Sequence, residues 1–191
     1  MYRFIVVILI FAITACESSM DYSNSPNFNS SLNRFQHPDG DPSNKKPSEL
    51  FAMMREFSNR KYDQSEQIGF PVEFSTKEKL STFSESVIWI GQSTILLNHK
   101  GLTVLTDPQF SNRASPLFFA GPKRVTPTPF NIDDLPDIDV VLISHMHYDH
   151  LDRASIKDLI KHQPSIKFMV PLGLAHTLRK WGAVDVTELD W

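Results

Sequence analysis

Side chains of the types that bind metals are concentrated in one short segment of this chain. Three of its seven histidines fall within the six residues from 145 to 150. In an extended segment, side chains two residues apart point the same way, so His145 and His147 can bind one cation. As the chain turns away, Asp149 and His150 can face a second cation nearby. The alternative is three unrelated surface histidines, or histidines satisfied by loop backbone.

The donor types narrow the choice of metal. Neutral imidazole and carboxylate suit zinc and iron without any thiolate. The chain has one cysteine, which excludes a multi-thiolate zinc site and an intramolecular disulfide. Two metals about 3.5–4 Å apart would share a hydroxide and polarise the bond that it attacks. The run therefore predicts a site for two divalent cations, with zinc expected.

Strands and helices flank this run in alternation. The apolar stretch 139–143 predicts a strand of a sheet that is covered on both faces. Asp152 is placed to cap a helix that extends to about His162. Further strands are expected at 87–90, 94–97, 103–105, 166–170 and 184–189, with a helix at 172–181 closed by Gly182. This pattern indicates an α/β fold.

The segment before residue 86 has a different character. Residues 1–15 have the short apolar core of a signal peptide, and Ile13-Thr14-Ala15-Cys16 resembles the lipobox of bacterial lipoproteins, in which the cysteine is lipidated. An ordinary secretory signal or a short buried segment is the alternative. Residues 16–48, rich in turn-forming residues, are expected to be a flexible tether. Residues 49–85 are expected to be a lead-in, with an amphipathic helix over 49–61 and irregular chain over 63–84.

Composition excludes some classes of protein. The chain has 191 residues, a length that predicts about one domain, and a formal net charge of −3. This near-neutral balance argues against a general nucleic-acid binder, which would show a basic surplus. With 41% hydrophobic and 21% charged residues, the chain fits a globular class rather than a disordered or multi-spanning one.

The pattern His145-x-His147-x-Asp149-His150 resembles the signature of the metallo-β-lactamase superfamily, whose fold is an αβ/βα sandwich with a dinuclear metal site at its edge. Other blocks over residues 86–191 narrow the resemblance to the branch containing N-acyl-phosphatidylethanolamine-hydrolysing phospholipase D. These blocks are Trp89-Ile90-Gly91-Gln92-Ser93-Thr94, Thr106-Asp107-Pro108, Ser115-Pro116, Gly121-Pro122-Lys123-Arg124 and Leu135-Pro136-x-Ile138-Asp139. Gln92 and Met146 depart from this pattern, where the branch often has His and Asn, and neither is a metal ligand.

The resemblance assigns metal ligands. His145 and His147 would bind the first metal, and Asp149 and His150 the second. Asp149 would also orient the bridging hydroxide and relay its proton, as the catalytic residue. Asp107 looks like the family's aspartate that hydrogen-bonds the ligand loop and fixes its geometry; a plain Asp-Pro turn is the alternative.

Three further residues are candidate substrate contacts. Lys123 and Arg124 could meet a substrate phosphate, although a solvated pair in a proline-rich loop is the simpler interpretation. Tyr148 could line the pocket or serve packing equally well.

The resemblance also implies ligands that this run lacks. His162 and His176 fall within predicted helices and outside any matching motif, so we expect neither to bind metal. Two ligands per metal fall short of the three that a catalytic zinc normally has. The remaining ligands are therefore expected beyond Trp191, with residues 86–191 forming roughly the N-terminal half of the sandwich.

The implied function is metal-dependent hydrolysis of a phosphodiester, with an N-acyl-phosphatidylethanolamine-like phospholipid as substrate. The lipid anchor would hold the protein on a membrane of the bacterial cell envelope. The alternatives are another hydrolase of the same fold, such as a lactonase or a β-lactamase, and an inactive truncated lipoprotein.

Overall fold

The computed structural model divides into two compact units, Met1–Met53 and Met54–Trp191.

 The signal peptide expected at 1–15 and the lipidation expected at Cys16 lie outside the described residues. The described residues are 21–36, 46, 48–49, 51–52, 55–56, 72–73, 76–82, 84–117, 119 and 121–190.

The first unit contains a small hairpin where a flexible tether was expected. Its strands are β1 (Phe28–Asn29) and β2 (Arg34–Phe35), which pair antiparallel. The rings of Tyr22, Phe28 and Phe35 contact one another, with centroids 5.1–5.8 Å apart. Mutual burial of three aromatic rings offsets the ordering entropy of this short stretch. The tether prediction is therefore wrong for residues 21–36.

The lead-in is only partly described. Residues 48–49, 51–52 and 55–56 are helical, whereas the rest of the predicted 49–61 helix lies outside the described residues. The expected irregular stretch contains a short helix, α1 (Lys77–Ser81), whose first turn is capped by the Thr76 side chain. Leu80 is almost fully buried in the core, and this anchor holds the short helix in place.

The second unit is built on a mixed sheet. In the described residues it has six strands in the order β3-β4-β5-β6-β7-β8. The first three pair antiparallel and the last four parallel. The predicted strands and the α/β class are confirmed. The bounds are β3 (Ser86–Gly91), β4 (Thr94–His99), β5 (Leu102–Thr106), β6 (Val140–Leu142), β7 (Lys167–Pro171) and β8 (Asp185–Leu189).

Two helices cover one face of this sheet. Helix α2 (Arg153–His162) begins at Asp152, whose side chain accepts a hydrogen bond from the Ala154 amide as predicted. Helix α3 (Ala175–Trp181) begins three residues later than expected and ends at Gly182, which has φ +110°. A left-handed residue is the usual way to end a helix, and glycine adopts it without a Cβ penalty.

A single in-register row of side chains forms the centre of the core. It crosses the sheet from β4 to β8 and consists of Leu96, Leu105, Val141, Phe168 and Val186. All five are buried. The row fixes which residues of β5 and β6 lie opposite each other, and so where the loops after these strands begin.

Candidate metal centre

The predicted metal-binding run follows β6 at the carboxyl edge of the parallel strands. Asp107 directly follows β5 at the same edge. The amide of Asp107 donates to the carbonyl of Leu142 (2.9 Å), which extends the β5–β6 pairing into the two loops. In open α/β sheets this edge is where ligands bind. The topology therefore brings the two predicted parts of the site together.

Asp107 is the buried anchor of the loop that carries the histidines. Its Oδ1 accepts from the Ser144 amide at 2.7 Å, and its Oδ2 accepts from the Ser144 hydroxyl at 2.7 Å. The same Oδ2 lies 2.8 Å from Nδ1 of His150. Asp107 also adopts φ +39°, a region that aspartate and asparagine tolerate better than most residues. These bonds support the loop-fixing role over the plain turn.

The contact with Asp107 determines which nitrogen of His150 can bind a metal. An ionised carboxylate only accepts hydrogen bonds, so we assign the ring proton of neutral His150 to Nδ1. The Nε2 lone pair is then available to a cation, as in the carboxylate–histidine pairs of metal sites. Nε2 of His150 lies 3.5 Å from Oδ2 of Asp149, so these two donors are neighbours.

The other pair of donors, His145 and His147, is closer still. Nε2 of His145 lies 3.0 Å from Nδ1 of His147, and the ring centroids of His145 and His150 are 4.0 Å apart. Burial, followed by the nearby His150 and His147, lowers the pKa of His145 from its ordinary value. A lower pKa favours the neutral ring, which is the form that binds metal.

The donor chemistry fits divalent zinc or iron, since one loop carries three imidazoles and a carboxylate. Within the described residues no group of three or more His, Cys, Asp or Glu side chains is arranged to hold a metal ion. The structure thus presents two adjacent donor pairs, His145 with His147 and Asp149 with His150. Additional ligands would be needed to complete either site.

Gln92 is a member of the site that sequence reasoning missed. Its Nε2 donates to Oδ2 of Asp149 at 3.1 Å, and its carbonyl accepts from Nε1 of Trp89. Gln92 lies in the tight β3–β4 turn with φ +51°, after Gly91 with φ +143°. The sequence signal was the departure from His at position 92, but its partner is 57 residues away.

A cavity of about 580 Å³ lies beside the loop. His147, Tyr148 and Asp149 line it together with Lys123 and Arg124, so the structure brings the candidate substrate contacts to the donors. Tyr148 is half-exposed on the wall rather than packed in the core. His145, His150 and Asp107 are not among the lining residues.

Arg124, a candidate substrate contact or solvated side chain, makes its hydrogen bonds within the protein. Its guanidinium donates to the carbonyl and side-chain oxygens of Gln109 and to the carbonyl of Ser111. Burial lowers the pKa of Arg124, partly opposed by Asp152. The group therefore holds the 109–111 backbone beside the cavity. Lys123, in contrast, is exposed and remains the candidate contact for an anion.

The two histidines expected not to bind metal, His162 and His176, lie away from this loop in the chain. His162, at the end of α2, has Nδ1 2.8 Å from the carbonyl of Asp158 and Nε2 3.0 Å from Asp133. His176 lies on α3, and its buried Nε2 has no hydrogen-bond partner within the described part of the chain. Within the described residues the contacts of His162 are thus with other groups than the donor pairs, and the expectation that neither histidine is a ligand stays a prediction.

Comparison with known families identifies the segment that carries the site. We call the segment that carries His145, His147, Asp149 and His150 the donor loop. Residues 103–191, from β5 through the donor loop to the last strand, match the family described as a beta-lactamase superfamily domain. This segment is similar to the β-lactamase superfamily domain. The resemblance inferred from the motifs is thereby confirmed, and the sheet is part of the metallo-β-lactamase fold.

Similar proteins include well-matched relatives. The chain is 44% identical over 112 residues to N-acyl-phosphatidylethanolamine-hydrolyzing phospholipase D 1 of Caenorhabditis elegans, covering 54% of this chain and 30% of that protein. It is 46% identical over 108 residues to an uncharacterized protein of Mycobacterium tuberculosis, covering 56% and 29%. The chain thus spans less than a third of the length of these relatives.

A solved structure also matches. It is a possible metal-dependent hydrolase from Veillonella parvula, with a TM-score of 0.45 and 23% identity over 57% of this chain and 45% of that chain. No helix within the described residues is long and apolar enough to cross a bilayer.

Proposed function

We propose that this chain forms part of a metal-dependent hydrolase that cleaves a phosphodiester, with an N-acyl-phosphatidylethanolamine-like phospholipid as substrate and two zinc ions as cofactors. The observation that carries the proposal is the donor loop: His145, His147, Asp149 and His150 lie at the edge of the parallel sheet, fixed by Asp107, beside a cavity. The relative from Caenorhabditis elegans, named for hydrolysis of such a lipid, supports the choice of substrate.

The donor loop gives each metal two protein ligands, His145 with His147 and Asp149 with His150. When bound, two divalent cations lower the pKa of water and polarise the phosphoryl oxygens. The protein's part is to hold the ligands in fixed geometry. Asp107 does this through Ser144 and His150, and it keeps the His150 proton on Nδ1.

Asp149 is the group that we place at the proton-transfer step. Its Oδ2 accepts a hydrogen bond from Gln92, which fixes the orientation of the carboxylate. A carboxylate held in this way can orient an attacking water and accept its proton, as a general base does. Its position on the cavity wall puts it within reach of a substrate in the cavity.

The rest of the cavity wall suits a lipid phosphate. The Lys123 ammonium supplies a cation for the phosphate oxygens. Trp89 and Tyr148 are half-exposed on the same wall, and they offer apolar surface to the glycerol and acyl parts of a lipid.

The test compares substrates on the metal-loaded full-length protein. We expect release of phosphatidic acid from N-acyl-phosphatidylethanolamine, and Asp149→Asn should lower kcat by about 100-fold or more with little change in KM. Asp158→Asn, an exposed change on α2, is the matched control. Preferential hydrolysis of a lactone or a β-lactam would favour the alternative hydrolases, and no turnover with bound zinc would contradict the proposal.

The location in the cell is a separate proposal. We propose that Cys16 is lipidated and anchors the protein to a membrane of the bacterial cell envelope; the sequence Ile13-Thr14-Ala15-Cys16 is the support. Labelling cells with a clickable fatty acid should mark the wild type and not Cys16→Ser. Equal labelling of the two proteins would refute the anchor.

A further inference from the structure

The guanidinium of Arg124 is fixed against one segment of the cavity wall. Its Nη2 donates to the carbonyl and the side-chain oxygen of Gln109, and its Nε donates to the carbonyl of Ser111 at 3.3 Å. The backbone of the arginine is held as well, because its amide donates to the Asn112 carbonyl at 2.8 Å. Gln109 and Arg124 both line the cavity beside the donor loop. The guanidinium therefore has a defined place on the wall of the candidate site.

The segment that holds the guanidinium is anchored on buried side chains. The Gln109 amide donates to Oγ1 of Thr94 at 3.1 Å, and the Ser111 amide donates to Oδ2 of Asp152 at 3.2 Å. Thr94 lies in β4 and Asp152 lies at the start of α2, and both are buried. Residues 109–111 are thus tied to the core on two sides, and they give the guanidinium a firm base.

The guanidinium also lies against the tight turn between β3 and β4. Gly91, which has φ +143°, would place a Cβ 2.9 Å from Nη1 of Arg124, a separation that real Cβ contacts do not show. The arginine therefore fills the space that a side chain at position 91 would need. Glycine permits this close approach of the backbone to the guanidinium.

This turn directs Gln92 at a proposed metal ligand. Nε2 of Gln92 donates to Oδ2 of Asp149 at 3.1 Å, and Nε1 of Trp89 donates to the Gln92 carbonyl at 2.9 Å. Because Gln92 directly follows Gly91, a movement of the Gly91 backbone also moves the Gln92 side chain. An N–H···O bond has a donor–acceptor distance of about 2.7–3.2 Å, so a shift of about half an ångström takes the bond to Asp149 out of this range.

We propose that Arg124 is a positioning residue for Asp149: the guanidinium supports the β3–β4 turn, and the turn holds the Gln92 amide on the Asp149 carboxylate. Arg124 acts in this way without touching a metal or the substrate. A lysine would keep the charge, but its ammonium lacks the planar fork that serves Gln109 and Ser111 together. The inference rests on the proposed function in that Asp149 is taken as a zinc ligand, and it requires no particular substrate.

The test measures the zinc affinity of the full-length protein by competition with a chromophoric chelator. Arg124→Gln and Gln92→Ala should each weaken zinc binding by about tenfold, because each leaves the Asp149 carboxylate without its hydrogen-bond donor. The double variant should bind zinc within about twofold of Gln92→Ala alone, because the two residues act in one chain of contacts and their effects do not add. Arg124→Lys should bind zinc as weakly as Arg124→Gln does.

Turnover of N-acyl-phosphatidylethanolamine by the zinc-loaded protein is the second readout. Arg124→Gln should lower kcat by about tenfold with little change in KM, whereas loss of a substrate contact would raise KM. If the protein does not hydrolyse this lipid, the proposed function fails, and the zinc affinities still decide the role of Arg124.

The matched control is Arg179→Gln. Nη2 of Arg179 donates to the carbonyl of Val186 in β8 at 3.0 Å, so this change also removes a hydrogen bond from arginine to a backbone carbonyl, and it should leave zinc affinity unchanged. Urea unfolding reports the stability of every variant. Gly91→Ala tests the same contact from the turn, even where Arg124→Gln does not fold: it should weaken zinc binding in the wild type and not in Gln92→Ala. Wild-type zinc affinity of the Arg124 and Gly91 variants, additive losses in the double variant, or a rise in KM alone would overturn the proposal.

Discussion

Replacing Asp107 with asparagine separates two roles of this residue: its place in the backbone turn and the hydrogen bonds that its carboxylate accepts. Asparagine tolerates the left-handed backbone at φ +39° about as well as aspartate does, so the turn is retained. The carboxylate accepts from the Ser144 amide, the Ser144 hydroxyl and Nδ1 of His150. An amide can keep the first bond through its oxygen, but its NH₂ group then faces the other two.

The substitution is expected to change the tautomer of His150. Facing an NH₂ donor, its Nδ1 must accept, so the ring proton moves to Nε2 and the metal-binding lone pair is lost. Loss of such an outer partner lowers metal affinity by about 10–100-fold, which is about 1.4–2.7 kcal/mol. The weakened hydrogen bonding should also cost about 1–2 kcal/mol of unfolding free energy.

Zinc competition with a chromophoric chelator measures the affinity, urea unfolding measures the stability, and ¹⁵N NMR of the imidazole reports the tautomer. The control is Asp139→Asn at the opposite edge of the sheet, where an exposed carboxylate accepts one bond from the Thr103 amide. If Asp107→Asn binds zinc as tightly as the wild type and His150 keeps its proton on Nδ1, the anchoring role is refuted.

Three further substitutions test the surroundings of the site. Gln92→Ala should lower turnover of the metal-loaded protein by about tenfold, because Asp149 loses its hydrogen-bond donor. The free energy of unfolding in urea should change little, since Gln92 is exposed. Unchanged kinetics would contradict this prediction. Gly91→Ala should cost about 1–3 kcal/mol in urea unfolding, because φ is +143° and the new Cβ would lie 2.9 Å from Nη1 of Arg124; wild-type stability would show that the turn adapts. His162→Ala should leave zinc stoichiometry unchanged by metal analysis, and a loss of metal would show that the assignment is wrong.

The parts of the site that the sequence predicts well are those coded locally. His145 and His147 are two residues apart on a segment that follows a plainly apolar strand, so their neighbourhood depends on nothing distant. Asp107 was predicted through its place after β5 in the family pattern. Its bonds to Ser144 and His150 confirm that it contacts the donor loop.

The parts that were missed depend on contacts between distant segments. Gln92 reaches Asp149 only because the sheet and the donor loop fold together, and nothing near position 92 in the sequence shows this. Arg124 was a candidate contact for a substrate phosphate, with a solvated side chain as the simpler interpretation, yet its donors go to Gln109 and Ser111. The hairpin of residues 21–36 was missed because a count of turn-forming residues does not register three aromatic rings placed to pack together.

The geometry of the donor loop depends on the register of two strands in the core. Thr106 pairs with Leu142, and this pairing places Asp107 beside the Ser144 amide. A slip of one residue would move the partners by about 3.3 Å and break hydrogen bonds that are 2.7 Å long. The same slip would turn buried Leu105 or Val141 toward the other face, so the hydrophobic core resists it. The free energy that stabilises the core therefore also holds the metal-binding loop against its anchor.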